Sequence, residues 1–435
     1  MIRIAHFSDL HYGTKNLGEA DRCFGAAIDR AIALGVEVAV VSGDATDHAL
    51  ELHAPAAERL VAQVRRLADH CPVLMLQGTF SHEPPGTLAI FRLLGGRHPV
   101  HVADRIEQVA LTAKRDWIAS ANWCFDELPV GARALFSCVP TVNKAVVATV
   151  GAADAALAVG EHLALLLRGY APSHRAARLQ GIPTIVVSHG TVFGCVSEHG
   201  VPMAGFDHEF TTGALLGAEA QAFLLGHIHR HQSWVVEGGA GRQCIAYPGA
   251  IGRFHYGEEG EKGFLLWEVD AAQARFRLEP TPARRTVDIV FEGKPDLDAL
   301  RATVAQQNIA GAFVRVRWTV ADEDRHKVDR ATILRLLEGA AETKLEGRIV
   351  PVVRTRAAGI SQLANLADKV RVWARVTEAR AEPLIECLQV LSSEAPEAIA
   401  ERVLRGQDVP NGERGIESDV TVLPPMVELE PALSL

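Results

Sequence analysis

The feature that most constrains the fold is a set of five short segments rich in acid, imidazole and glycine. Each segment lies directly after or close behind a short apolar run, and such runs are typical of β-strands. Their order along the chain predicts that they converge at one end of a sheet. The segments are Asp9–His11, Gly43–Asp47, Ser81–Glu83, Ser188–Gly190 and Gly226–His229.

The first half of the chain alternates strand-like runs with helical patterns, in the βαβαβ order of a layered α/β fold. Predicted strands cover residues 2–7, 36–41, 73–76, 99–102, 108–111, 134–138, 184–187 and 222–225, and predicted helices cover 19–34 and 54–68. Residues 232–277 have the pattern of successive short strands with glycine-containing turns.

A second alternating unit follows a linker-like segment at 280–285. Its predicted elements are strands at 287–291, 312–320 and 348–353 and helices at 296–306 and 330–340, followed by helices at 362–378 and 396–404. The middle strand alternates valine and tryptophan with Arg315 and Arg317, so one face is apolar and the other is basic. The basic face is either exposed to solvent or in contact with phosphates. We therefore divide the chain into residues 1–280, a small domain at 286–357, a helical region at 358–406 and a flexible tail at 407–435.

Composition excludes several classes of protein. The 435 residues are 48% hydrophobic and 22% charged, which is ordinary for a globular protein, and no apolar run approaches the roughly 20 residues that span a bilayer. The seven cysteines never form a C-x-x-C pair, which argues against a disulfide framework and a zinc-thiolate site. We expect a cytoplasmic protein without membrane contact. A net charge of -9 gives no global attraction for nucleic acid.

The side chains of the five segments suit metal binding. Asp9 and His11 are two positions apart on an extended segment and therefore point the same way, and His227 and His229 repeat this spacing. A carboxylate such as Asp44 at the end of a buried strand is costly unless a cation compensates it. Oxygen and imidazole ligands without thiolate suit manganese, iron, zinc or magnesium, and the number of histidines disfavours magnesium alone.

This order of D-x-H, G-D-x-x-D, a histidine loop, H and G-H-x-H resembles the calcineurin-like metallophosphoesterases. Within that superfamily, Gly226–Gln232, Tyr247–Arg253, Tyr256–Glu259 and Lys262–Phe264 resemble the DNA repair exonucleases typified by bacterial SbcD. The motifs span residues 1 to about 270. The resemblance implies a four-layer αββα sandwich with a small α+β capping domain and C-terminal helices.

Carried over residue by residue, the resemblance implies two divalent metal ions, with manganese preferred. Asp44 would bridge them, and Asp47 would support the bridging group or contact the substrate as a catalytic residue. The implied ligands are Asp9, His11, Asp44 and His229 for the first ion and Asp44, His189 and His227 for the second.

The third segment departs from the family pattern G-N-H-D, because two more residues separate Gly78 from the histidine. Alignment on the histidine makes Ser81 the metal ligand in place of asparagine, His82 the catalytic histidine and Glu83 the aspartate. Alignment on the glycine makes Thr79 the ligand instead.

The resemblance implies a metal-dependent DNA nuclease that hydrolyses phosphodiester bonds by a two-metal mechanism. It also implies a homodimer and an SbcC-like ATPase that docks on the C-terminal helices. A small-molecule phosphodiesterase or phosphatase is one alternative. A catalytically weak subunit that binds DNA ends is the other.

Overall fold

The structure is a computed structural model that describes residues 1–51, 53–141, 155–203, 210–238, 241–350 and 359–405. It divides into two compact units, Met1–Val350 and Pro351–Leu435. The tail expected at 407–435 and the expected end of the small domain at 357 lie outside the described residues. The domain division drawn from the sequence therefore stays a prediction.

The first unit contains both strands and helices, and the described residues of the second unit form helices without strands. The strands are β1 (Ile2–Phe7), β2 (Val38–Val41), β3 (Val73–Leu76), β4 (Val100–Ala103), β5 (Glu107–Thr112), β6 (Trp117–Ala119), β7 (Ala132–Val139), β8 (Thr184–His189), β9 (Ala222–Gly226), β10 (Gln232–Gly238), β11 (Gly241–Tyr247), β12 (Gly263–Val269), β13 (Ala274–Pro280), β14 (Thr286–Glu292), β15 (Phe313–Ala321) and β16 (Glu342–Val350). The helices are α1 (Leu17–Ala33), α2 (Pro55–Ala68), α3 (Ala155–Leu179), α4 (Thr212–Leu216), α5 (Leu297–Gln307), α6 (Arg330–Leu336), α7 (Leu366–Val376), α8 (Ala381–Ser393) and α9 (Pro396–Leu404).

The strands form three sheets. The first has the order β13-β12-β1-β2-β3-β4, the second β10-β11-β9-β8-β7-β5-β6 and the third β14-β15-β16. Strands β1 to β4 are mutually parallel, as are β7, β8 and β9. Strand β12 runs antiparallel to both of its neighbours, β1 and β13. The mixed α/β class predicted from the sequence is confirmed.

Three apolar cores hold the two large sheets and their helices together. The core between the sheets takes side chains from both, including Ile4, Leu74, Phe136, Val187 and Leu224. Helices α1 and α2 cover the outer face of the first sheet, and α3 and α4 cover the outer face of the second. The layers therefore run helix, sheet, sheet, helix, and the parallel strands of both sheets deliver their following loops to the candidate site.

The small third sheet is parallel throughout, and helices α5 and α6 pack on its apolar face. The predicted alternation of β15 is confirmed, because its valines and Trp318 are buried. The opposite face differs from the expectation. The guanidinium groups of Arg315 and Arg317 both donate to Asp288, with Nη2 to Oδ2 distances of 2.8 and 2.6 Å. The two arginines therefore share one carboxylate within the sheet, which offsets part of their positive charge.

In the second unit, α7 and α8 line an apolar cavity of about 420 Å³. Trp373, Leu384 and Leu391 are among its lining residues and are 38%, 41% and 65% exposed. None of the seven cysteines, all within the described residues, forms a disulfide, and five of them are buried. Among the helices that the structure describes, none is both long and apolar enough to cross a membrane.

Candidate metal centre

The loops that follow five parallel strands meet at one end of the two large sheets. Asp9 and His11 follow β1, and the loop after β2 holds Asp44. The remaining positions are Thr79 and His82 after β3, His189 at the end of β8, and His227 and His229 after β9. The backbone N–H of Asp9 donates to Gly43, and that of His11 donates to Asp44, so the first two loops are tied together.

Backbone strain is concentrated in these loops. Among the described residues, eight that are not glycine have a positive φ, and four of them are here: Asp9 (51°), His11 (46°), Asp44 (51°) and His227 (102°). Residues in this region cost about 1–3 kcal/mol each and persist where the surrounding structure enforces them, often at functional sites. These backbone conformations direct the acid and imidazole side chains toward one another.

Asp9, His11 and His229 form the first group, with one ligand atom from each lying within 4.8 Å of the others. The two imidazole Nε2 atoms are 2.9 Å apart, and Nε2 of His229 is 3.9 Å from Oδ1 of Asp9. Burial, together with His11 and Lys262 nearby, holds the pKa of His229 well below its usual range. His229 is therefore a neutral imidazole that can bind a cation.

The first group fits a divalent metal ion. The carboxylate of Asp9 is completely buried, and such a charge needs a compensating cation. Two imidazole nitrogens and a carboxylate oxygen, without thiolate, suit manganese, iron or zinc. The buried Nδ1 atoms of His11 and His229 have no hydrogen-bond partner among the described residues. Nδ1 of His11 does lie 3.5 Å from Oδ1 of Asp47, within ion-pair distance.

Asp44, His189 and His227 form the second group, again with ligand atoms within 4.8 Å of one another. Nδ1 of His189 donates to the carbonyl of Ser42 at 2.7 Å, so Nε2 faces Oδ2 of Asp44 at 3.3 Å. Burial lowers the pKa of His189, but Asp44 outweighs it and raises the pKa to about 9. A cation bound here would displace that proton.

Thr79 lies at the second group and Ser81 does not. The N–H of Thr79 donates to Oδ1 of Asp44 at 2.7 Å, and its hydroxyl lies 3.2 Å from both Oδ2 of Asp44 and Nε2 of His189. The N–H groups of His82 and Glu83 both donate to the carbonyl of Thr79, which makes residues 79–83 one helical turn. That turn leaves Ser81 exposed. The geometry favours Thr79 over the expected ligand Ser81.

His82 and Asp47 lie beside the first group. Nδ1 of His82 donates to the carbonyl of Asp47 at 2.7 Å, and the ring meets that of His11 edge to face at 4.8 Å. The contact with His11 lowers the pKa of Asp47, which therefore stays ionised. Asp47 thus supports both histidines, one through its side chain and one through its backbone.

Glu83 contributes more than the sequence indicated. Its carboxylate is completely buried and accepts from the N–H groups of Gly78 at 2.6 Å and Ala45 at 2.5 Å. Burial and the nearby Asp44 raise the pKa of Glu83 to about 7. It joins the loops after β2 and β3 and so fixes Asp44 against Thr79. In the sequence, the acidic residue directly after His82 is the feature that could have indicated this role.

Comparison with known proteins gives matches among solved structures but none among sequences. No protein-family model matches the chain, and no curated protein sequence matches it. The structure is similar to a dimetal phosphatase from Danio rerio with 10% sequence identity and a TM-score of 0.37, over 64% of this chain and 98% of that chain. So distant a likeness assigns no residue, and the predicted site residues stay predictions that rest on their own geometry.

Proposed function

We propose that the chain is a two-metal phosphodiesterase that hydrolyses DNA, with manganese as the preferred ion. The observation that carries the proposal is that, of the three groups of possible ligands among the described residues, two combine the residues that the resemblance implies, each group with its donor atoms within 4.8 Å. Asp9, His11 and His229 would hold the first ion. The second group and Thr79 would hold the other, and Asp44 would bridge the two.

When bound, two such ions supply activation of water and neutralisation of charge on a phosphate. The protein contributes a fixed histidine beside them. Because Nδ1 of His82 donates to the carbonyl of Asp47, Nε2 is the ring atom left to act on a substrate. When the ring is protonated on both nitrogens, Nε2 can donate a hydrogen bond to a phosphoryl oxygen or a proton to the leaving oxygen.

Two features support DNA as the substrate. The motifs between residues 226 and 264 resemble those of DNA repair exonucleases, and the small third sheet adjoins the loop beside the first group. The hydroxyl of Tyr256 in that loop donates to Glu342 of β16 at 2.8 Å. A small domain at this position is suited to holding an extended substrate over the site.

A small-molecule phosphodiester is the second candidate substrate, and one observation favours it. The sequence allows Arg315 and Arg317 to contact phosphates, but both are paired with Asp288. With a net charge of -9, the chain then has less positive charge to attract a nucleic acid.

Assays with manganese on end-labelled duplex DNA, single-stranded DNA and a cyclic nucleotide distinguish the candidates. We expect fragments from DNA, loss of activity in EDTA and recovery with added manganese. Cleavage of the cyclic nucleotide alone would favour the second candidate. DNA binding without cleavage by metal-loaded protein would favour the subunit that only binds DNA ends.

We also propose that the apolar cavity between α7 and α8 docks an SbcC-like ATPase, as the resemblance implies. Support comes from Trp373 and Leu391, which are apolar and exposed there. Leu391→Glu should abolish capture of the purified ATPase subunit, whereas Val403→Glu on α9, also exposed, should not. Equal capture by both variants would refute the docking site. The homodimer stays a prediction for sedimentation analysis.

A further inference from the structure

The loop that returns from β11 to β12 makes its polar contacts beside the first ligand group. The carbonyl oxygen of His229 accepts from the backbone N–H of Ala250 at 3.1 Å and from Nζ of Lys262 at 2.7 Å. Lys262 therefore holds the main chain of a candidate ligand. Its own side chain is 1% exposed.

Lys262 is one half of a buried ion pair. Its Nζ lies 2.5 Å from Oε2 of Glu258, whose side chain is completely buried. Burying two charges is unfavourable unless the geometry and further hydrogen bonds compensate, and apolar residues of similar volume often stabilise a protein as well. The pair is thus weak evidence for a role in stability, and its other contacts indicate a different role.

The other contacts of Glu258 are with the residues whose rings lie beside the imidazoles of the first group. Oε1 of Glu258 accepts from the backbone N–H groups of Phe254 at 2.9 Å and His255 at 2.6 Å. The Phe254 ring meets His11 edge to face at 5.6 Å between centroids, and the His255 ring is parallel to that of His229 at 6.5 Å. One ion pair thereby fixes the backbone of His229 and the residues beside both imidazoles.

We propose that the buried Glu258–Lys262 pair is a positioning device that sets the metal affinity of the first group, Asp9, His11 and His229. This inference rests on the proposed two-metal function. Unlike the proposed function, the inference predicts that loss of the Glu258–Lys262 pair affects the two metal sites unequally. The second group is supported by the carbonyl of Ser42, which accepts from His189, and by the carboxylate of Glu83, which accepts from Gly78 and Ala45. These hydrogen bonds do not involve Glu258 or Lys262.

The test is manganese binding by the full-length protein, measured by calorimetry and by electron paramagnetic resonance, without any substrate. Wild type should bind two ions per chain. The double variant Glu258→Gln/Lys262→Met removes both charges together, so no unpaired buried charge remains to unfold the chain. It should retain one site at wild-type affinity and weaken the other by roughly tenfold to a hundredfold, as loss of outer contacts does elsewhere.

Three further variants identify which site is weakened. His229→Ala should abolish the site that the double variant only weakens, and His189→Ala should abolish the other site. Lys262→Arg retains a charged donor and should recover most of the affinity. Lys327→Met, which breaks an exposed lysine–aspartate pair, is the matched control and should bind as wild type does.

Two results would overturn the inference. If the double variant binds both ions with wild-type affinity, the pair does not position the site, although the proposed function survives. If wild type itself binds no more than one ion, the two-metal function and this inference both fail. Circular dichroism and urea unfolding of each variant report whether folding, rather than positioning, accounts for a loss.

Discussion

Thr79 donates a hydrogen bond to each carboxylate oxygen of Asp44, from its N–H to Oδ1 at 2.7 Å and from its hydroxyl to Oδ2 at 3.2 Å. The hydroxyl occupies the position at which a neutral oxygen ligand would complete the second metal site. Thr79→Ala should therefore weaken the second manganese ion about tenfold, in the range seen for lost supporting groups. Calorimetric titration with manganese measures the change.

Thr79→Ser and Ser81→Ala are the matched variants for this prediction. The first retains a hydroxyl and should bind nearly as wild type does. The second alters the exposed serine that the sequence alignment favoured and should have no effect. A loss of affinity in Ser81→Ala alone would restore Ser81 as the ligand.

His82→Ala should abolish turnover while both manganese ions still bind. Its Nε2 is the ring atom left free by the hydrogen bond to Asp47, and loss of such a group costs roughly a hundredfold to ten-thousandfold in rate. Steady-state kinetics with saturating manganese measure the loss, with His53→Ala as the exposed control. Full activity in His82→Ala would remove His82 from the mechanism.

The sequence was enough to predict that the residues of the two groups lie near one another, because each follows a short apolar strand and strand ends are set locally; their role as ligands stays a prediction. The sequence could not choose between Thr79 and Ser81. That choice depends on the helical turn from Thr79 to Glu83 and on the buried Glu83 carboxylate that ties Gly78 to Ala45. The contact between Glu83 and Ala45 exists only once the loops after β2 and β3 have come together.

Other differences have similar causes. Helix α3 was not predicted, since it contains Pro172, which ordinarily ends a helix. Strand β16 begins at Glu342, six residues before the apolar run that suggested it, because its polar first half pairs with β15. The sequence left open whether the arginines of β15 contact phosphates or solvent, because Asp288, on the neighbouring strand, could not be placed beside them.

Gly43→Ala should destabilise the protein and weaken the second metal site. At φ 102°, a Cβ here would lie 2.2 Å from Nδ1 of His189 and 2.8 Å from the backbone of Gly78. We expect a loss of at least about 2 kcal/mol in the free energy of unfolding. Urea unfolding of the metal-free protein measures it. Gly18→Ala in α1, where the space is open, should instead be neutral or slightly stabilising.

His174 should make the protein less stable in mild acid. Its Nδ1 donates to the carbonyl of Ala218 and its Nε2 accepts from Ser137, while burial lowers its pKa to about 4. The unfolded chain, with a histidine pKa near 6.5, then binds the proton first, so stability falls as the pH drops from about 6.5 to 4. The contribution is about 3 kcal/mol.

Urea unfolding at several pH values tests this prediction far from the metal centre. His174→Gln should be less stable than wild type at pH 7, since a hydrogen bond is lost. It should lose less stability than wild type between pH 6.5 and 4. Parallel pH profiles for the two proteins would show that His174 is not the group responsible.

The most direct test of the two-metal phosphoesterase site is manganese-dependent hydrolysis of bis-p-nitrophenyl phosphate by protein stripped with EDTA. We predict no turnover in the stripped protein, and full activity as the second of two manganese ions per chain binds. His189→Ala should bind only one ion and lose most of the activity. Unchanged turnover in the stripped protein, or in His189→Ala, would contradict the account.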